Sequence, residues 1–192
     1  MPHHRALGRD LDQLIIAVVD NRRPMLAVMR AMLAAIGTGR VETYESPIVA
    51  LNAMARDLPD LVIAGAAMQP LSGPAVVRAM RRTSSGPLAL VPAMIMAANV
   101  KPSLVEDALK AGAHQVLVLP IAASTLYRRL DWIINDDCPF ELSGQHYVVA
   151  GLEERLALSI QRPVPEPASV ASLAEGASGE SLAAQKAQAA RN

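Results

Sequence analysis

Along this chain, short unbroken apolar runs alternate with longer stretches in which apolar positions recur every three or four residues. Residues 14–19 form the first run, and residues 61–64, 93–97 and 115–119 repeat it with interruptions of at most one residue. Such runs, bounded by polar or turn residues, predict strands buried on both faces of a parallel sheet. Residues 41–44 are shorter and more polar and predict an edge strand. Met25, Met29, Met32 and Ile36 recur at helical spacing with Leu26 and Leu33 beside them, so a helix is expected from Pro24 onward. Further helices are predicted over 48–57, 74–82, 102–111 and 124–134. Pro24, Pro74 and Pro102 suit first turns, Ser46-Pro47 supplies a cap and a first-turn proline, and Gly37 and Gly112 suit helix ends. Five strands alternating with five helices predict an α/β domain, a parallel sheet covered on both faces.

Residues 59–73 carry the place where chemistry is expected. The strand ending at Gly65 runs into a loop that closes at Gly73-Pro74, and ligands of open α/β sheets sit just beyond the carboxyl ends of strands. Between Gly65 and Gly73 the loop offers one hydroxyl, Ser72, and no carboxylate. Gly37-Thr38-Gly39 follows a helix and precedes a strand, the wrong order for a dinucleotide fingerprint.

Composition narrows the picture. Of 192 residues, 52% are apolar but only 3% aromatic, so the core is built from aliphatic residues and methionine. Eighteen acidic and eighteen basic residues balance, which gives no overall field to attract nucleic acid or an anionic membrane. Cys138, the only cysteine, excludes an internal disulfide and fits a reducing compartment. Residues 1–13 lack the apolar stretch of a signal peptide, and no window is long and apolar enough to span a membrane. A cytoplasmic protein is expected. His3 and His4 are read as part of a loose terminus, with His114 and His146 far apart, so no metal site and no cofactor are expected. Arg22-Arg23, Arg81-Arg82 and Arg128-Arg129 read as exposed helix faces, or as an anion clamp.

After residue 136 the character changes. Leu152, Leu156 and Ile160 recur every four residues, so an extension over 137–161 is expected to be partly helical, with one amphipathic helix within 140–160. Residues 162–192 are rich in Pro, Ala, Ser, Gly and Glu and lack aromatics, which predicts a disordered tail.

Several local patterns are shared with one family: Asp20 after the first strand, Asp60-Leu61-Val62-Ile63, Met68 and Gly73 after Gly65, Ala108-Leu109-Lys110-Ala111-Gly112-Ala113, and Pro120. Over residues 12–136 the chain resembles the receiver domain of bacterial two-component response regulators. The resemblance implies a flavodoxin-like, doubly wound sheet of five parallel strands in the order 2-1-3-4-5. It also implies a Mg²⁺-binding acid pair, a phospho-accepting Asp, a hydroxyl residue and a Lys. Carried over position by position, these fall on Asp20-Asn21, Gly65, Ala97 and Leu119, and the aromatic that rotates in the fifth strand falls on Val116. Without a carboxylate at 65 there is no nucleophile for an acyl phosphate. One carboxylate and an amide make a poor Mg²⁺ cage. The expected function is therefore a phosphorylation-independent interaction module, a pseudo-receiver, and not an enzyme. A small-molecule or nucleotide sensor using the vacated pocket or the arginines is the alternative.

Asp20 is read as a solvated strand-end residue hydrogen-bonded to nearby backbone, with a vestigial metal ligand as the other reading. Trp132, following Arg129 by three residues and Arg128 by four, suits an interface anchor or a place under the extension. The expected partner is a protein, either a sensor kinase or another receiver, with a homodimer possible. Pro139-Phe140, Tyr147 and residues 151–155 loosely resemble a segment that follows some stand-alone receivers. No basic recognition helix follows residue 136, so no DNA-binding output is expected.

Overall fold

A computed structural model of the chain describes residues 2–151 and Glu154. The chain alternates β1 (Ile15–Val19), α1 (Arg23–Ala35), β2 (Arg40–Tyr44), α2 (Pro47–Met54), β3 (Leu61–Gly65), α3 (Gly73–Met80), β4 (Ala93–Ala97), α4 (Pro102–Lys110), β5 (Gln115–Val118) and α5 (Ala123–Asn135). The five strands form one parallel sheet in the order β2-β1-β3-β4-β5. This is the order that the resemblance implies, with the more polar β2 at an edge.

Period-two alternation lets each strand feed two cores. Ile16 and Val18 join Leu26, Met29, Leu33, Leu126, Leu130 and Ile133 beneath α1 and α5. Ala17 and Val19 join Ala50, Met54, Val76, Val77 and Met80 beneath α2 and α3. The central strands β3 and β4 are buried at every residue, which is why they read as continuous apolar runs. Ser46 and Ser72 cap α2 and α3 by accepting from the backbone N–H of Val49 and Ala75.

Three expectations are corrected. First, the stretch 140–149 is not helical. Phe140–Ser143 (β6) and His146–Val149 (β7) form an antiparallel hairpin, with Gly144 at φ 63° opening its two-residue loop. The amphipathic stripe at 152–160 and the tail at 162–192 lie outside the described residues, Glu154 excepted. Second, the N-terminal segment is not loose. Pro2 O accepts from Phe140 N (2.8 Å), Gly8 N donates to Ile134 O (2.8 Å), and Arg5 N donates to Leu90 O (3.1 Å). Arg5 Nε and Arg9 Nη1 donate to the fully buried carboxylate of Asp60 at 2.9 and 3.2 Å, and Ile15 N donates to it at 3.0 Å.

Third, Arg81 does not lie on an exposed helix face. Its guanidinium is buried and donates to Ala89 O, Val91 O and, twice, Gly112 O, at 2.7 to 3.0 Å. Its central carbon sits 4.6 Å from the centroid of the Phe140 ring. Burial lowers its pKa to about 9, which leaves the cation intact near neutrality. His4 and His114 do come together, ring centroids 5.5 Å apart, and His114 meets Phe140 at the same distance. Arg81 and these rings fasten the N-terminal segment and the hairpin to the ends of α3 and α4.

Candidate functional site

The carboxyl ends of β1, β3, β4 and β5 meet where the sequence places the chemistry. Asp20 leaves β1 with its N–H on Tyr44 O (3.0 Å), which aims its side chain toward β3. It is buried, not solvated as the strand-end reading expects. Its partner is a side chain two residues away. Arg22 donates to Asp20 Oδ1 from its backbone N (2.8 Å) and Nε (3.0 Å), and to Oδ2 from Nη2 (2.9 Å). A carboxylate held by this two-pronged contact is among the stronger surface-facing pairs. The hydrogen bond to Asp20 raises the pKa of Arg22 further above its ordinary range.

Asn21 points the other way and ties two loops together. Its Oδ1 accepts from Gln69 N (2.6 Å), while its Nδ2 donates to Glu45 O (2.6 Å) and Gln69 O (3.2 Å). Gly65 ends β3 directly against this arrangement. A Cβ placed there would run into Asp20 Oδ2 and lie 3.1 Å from its Cγ. Gly73 closes the loop, and a Cβ at that position would lie 2.5 Å from Gly65 O. Ala97 ends β4 almost fully buried, and its carbonyl accepts from Leu119 N at 2.8 Å. Leu119 turns into the core beneath α1 and α5 rather than toward Asp20. Val116 packs, partly buried, against the core beneath α2 and α3.

These residues do not fit Mg²⁺, which needs several hard oxygens free to complete an octahedron. Both oxygens of Asp20 are engaged by Arg22, the Asn21 amide is spent on backbone, and Gly65 brings no side chain. Among the described residues, no three His, Cys, Asp or Glu side chains converge on a point that could hold a metal.

The structure brings Asp20, Asn21 and Gly65 together and adds Arg22, which the sequence reading left on a helix face. An Asp-x-Arg spacing at a strand end was the available signal. On α5, Arg128 and Arg129 are exposed and Trp132 is 45% exposed, so Trp132 is not buried under the hairpin. Tyr127, on the opposite flank of α5, lines a cavity with Gly8 and Leu11.

The model of the response regulator receiver domain family matches residues 16–131, more than half of the chain. This chain belongs to that family. It is a receiver domain of two-component signalling, and the described helices include none long and apolar enough to cross a membrane. Solved receivers share the fold at low identity. The chemotaxis protein CheY4 of Vibrio cholerae is 22% identical with a TM-score of 0.58, over 63% of this chain and 98% of its own. The receiver domain of the sensor histidine kinase PA1611 from Pseudomonas aeruginosa, solved with magnesium in its active-site cleft, is 24% identical with a TM-score of 0.58, covering 65% and 99%. A receiver domain protein from Clostridium thermocellum is 24% identical with a TM-score of 0.57, covering 64% and 94%.

Proposed function

We propose that this receiver works without phosphorylation, as a constitutive protein-interaction module of its pathway. The observation that carries the reading is the closed contact of Arg22 on Asp20 beside Gly65. A phosphorylated receiver needs a carboxylate nucleophile and a cation to balance the transferred group. Here the nucleophile position is a glycine, and the chain's own guanidinium balances the one acid. With Ala97 and Leu119 in place of a hydroxyl and a lysine, nothing else in the pocket would sense a phosphoryl group.

In this reading the protein is not an enzyme and acts in the cytoplasm on a protein partner, a sensor kinase, another receiver or a second copy of itself. The flank of α5 that carries Arg128, Arg129 and Trp132 is the contact surface, with Val116, on the opposite face of the sheet from α5, fixed in one state. Incubation with acetyl phosphate and Mg²⁺, followed by intact mass measurement, should leave the protein unmodified. A phosphoryl group mapped anywhere from Gly65 to Gly73 would overturn the proposal. Millimolar Mg²⁺ should also leave the melting temperature in place, because a ligand stabilises only in proportion to its occupancy of the native state.

A further inference from the structure

A cleft of about 470 Å³ lies between the last turn of α2, the last turn of α3 and the turn at residues 83–90. Its apolar lining is Leu51, Ala55, Ala79 and Leu88, and its polar lining includes Arg82 and Ser84. Small-molecule sites are clefts of about 300–1,000 Å³ with mostly apolar walls and a few placed polar groups. This cleft has both properties.

Its charge is one-sided. No acidic side chain lines it. Arg82 is exposed, and among the described residues its guanidinium has no hydrogen-bond or ion-pair partner. The same holds for Arg56 and Arg78, which adjoin the lining residues Ala55 and Ala79 in the chain. Asp57, next to Arg56, is taken by Arg40 at 2.8 Å. Elsewhere on the surface Arg22 and Arg23 have their own carboxylates in Asp20 and Glu45. An unpaired arginine at the mouth of an apolar cleft favours a ligand that brings the missing anion. The exposed Ser84 hydroxyl, two residues beyond Arg82, is a second donor on the same rim.

The rim is fixed in advance. Behind the turn, Arg81 Nη1 donates to Ala89 O (2.9 Å) and Val91 O (2.7 Å). Ser85 Oγ donates to Ala79 O (2.9 Å), Ser85 N to Arg82 O (2.9 Å) and Thr83 N to Gln145 O (3.0 Å). The backbone that carries Arg82 and Ser84 is therefore held at both ends, and a ligand need not order it.

We infer that this cleft binds a small organic anion. Its apolar body lies against Leu51, Ala55, Ala79 and Leu88, and its carboxylate, sulfonate or phosphate group meets Arg82 and Ser84. The site shares no residue with the pocket at Gly65 or with the surface of α5, so it stands or falls apart from the phosphorylation reading.

Anilinonaphthalene sulfonate, an apolar ring system with one sulfonate, probes the site in the full chain. Its fluorescence should saturate at one equivalent, and its perturbations in proton–nitrogen NMR spectra should centre on Leu51, Ala55, Ala79 and Ser84. The neutral analogue phenylnaphthylamine should bind about tenfold more weakly, because it brings no partner for Arg82. Failure of the sulfonate dye to saturate, equal affinity of the two dyes, or perturbations centred elsewhere would overturn the inference. Arg82→Ala should weaken dye binding by a similar factor. Ala55→Phe, which fills the cleft from an exposed position, should abolish it, and both variants should keep the native melting temperature. Unaltered binding in either variant would equally overturn the assignment. The spectra and the neutral analogue decide the question on the native chain should a variant fail to fold.

Discussion

Arg22 closes on Asp20 with three hydrogen bonds of 2.8 to 3.0 Å, all from within two residues of chain. The carboxylate is buried while the guanidinium side chain is 54% exposed, so the side of the pocket that meets solvent is presented by the cation. An incoming divalent ion would have to displace a tethered one. That competition is intramolecular and favours the arginine.

Restoring the carboxylate alone should therefore not restore phosphorylation. In Gly65→Asp the new Cβ meets Asp20 Oδ2, and forcing atoms into a filled site costs roughly 1–3 kcal/mol. The expected outcome is a lower urea midpoint and an unchanged mass after acetyl phosphate treatment. Phosphorylation of this single variant would show that Arg22 yields the site.

Arg81→Met should be strongly destabilising although it removes a buried charge. Methionine fills part of the volume but leaves the carbonyls of Ala89, Val91 and Gly112 without their donor. Each unsatisfied buried acceptor costs about 1–3 kcal/mol, so a loss of at least about 3 kcal/mol is expected in chemical denaturation. Arg81→Lys should recover little, since an ammonium cannot serve the carbonyls on both sides of the planar fork.

His4 makes the fold sensitive to acid. Burial lowers its pKa below the ordinary 6.5, outweighing the hydrogen bond to Asp136 O. The unfolded chain then takes up the proton first. Stability from this group is complete above pH 6.5 and is lost as pH falls from there through the lowered folded value. His4→Gln should flatten the decline in urea midpoint between about pH 7 and pH 5 relative to the native chain. An equal decline in both proteins would assign the acid sensitivity to other groups.

Trp132→Ala should leave the melting temperature nearly unchanged, because the ring is 45% exposed. In the proposed contact it should weaken partner binding or self-association by at least about 2 kcal/mol, roughly thirty-fold. A sharp fall in melting temperature with unaltered binding would remove Trp132 from the contact surface.

The sheet was legible because each buried strand is decided locally. Four or five apolar residues with a polar boundary, as in Leu61–Gly65, suffice to place it, and the prolines and serines mark the helix starts. Arg81 was not legible, because its burial is set by carbonyls 8 to 31 residues away and by Phe140. The same holds for His4, whose partners are Asp136 and His114. At the hairpin the local signal existed. Phe140, Leu142, Tyr147 and Val149 flank Ser143-Gly144-Gln145, a strand-turn-strand pattern. The helical reading of 140–160 rested instead on the four-residue spacing of Leu152, Leu156 and Ile160, which lies beyond the hairpin. In the site, the losses at Gly65, Ala97 and Leu119 were readable by position, whereas the partner of Asp20 left only the Asp-x-Arg spacing as a signal.

Asp60 shows that the folding unit and the family unit have different edges. Residues 16–131 define the family match, yet the two arginines that neutralise this buried carboxylate are Arg5 and Arg9. A fragment trimmed to the family boundaries would keep the acid at the foot of β3 and discard both of its counter-ions. It would also lose Phe140 from above Arg81 and His4 from beside His114. Anyone transplanting this domain into another protein must therefore carry its flanks along, because groups buried inside the family boundaries take their partners from outside them.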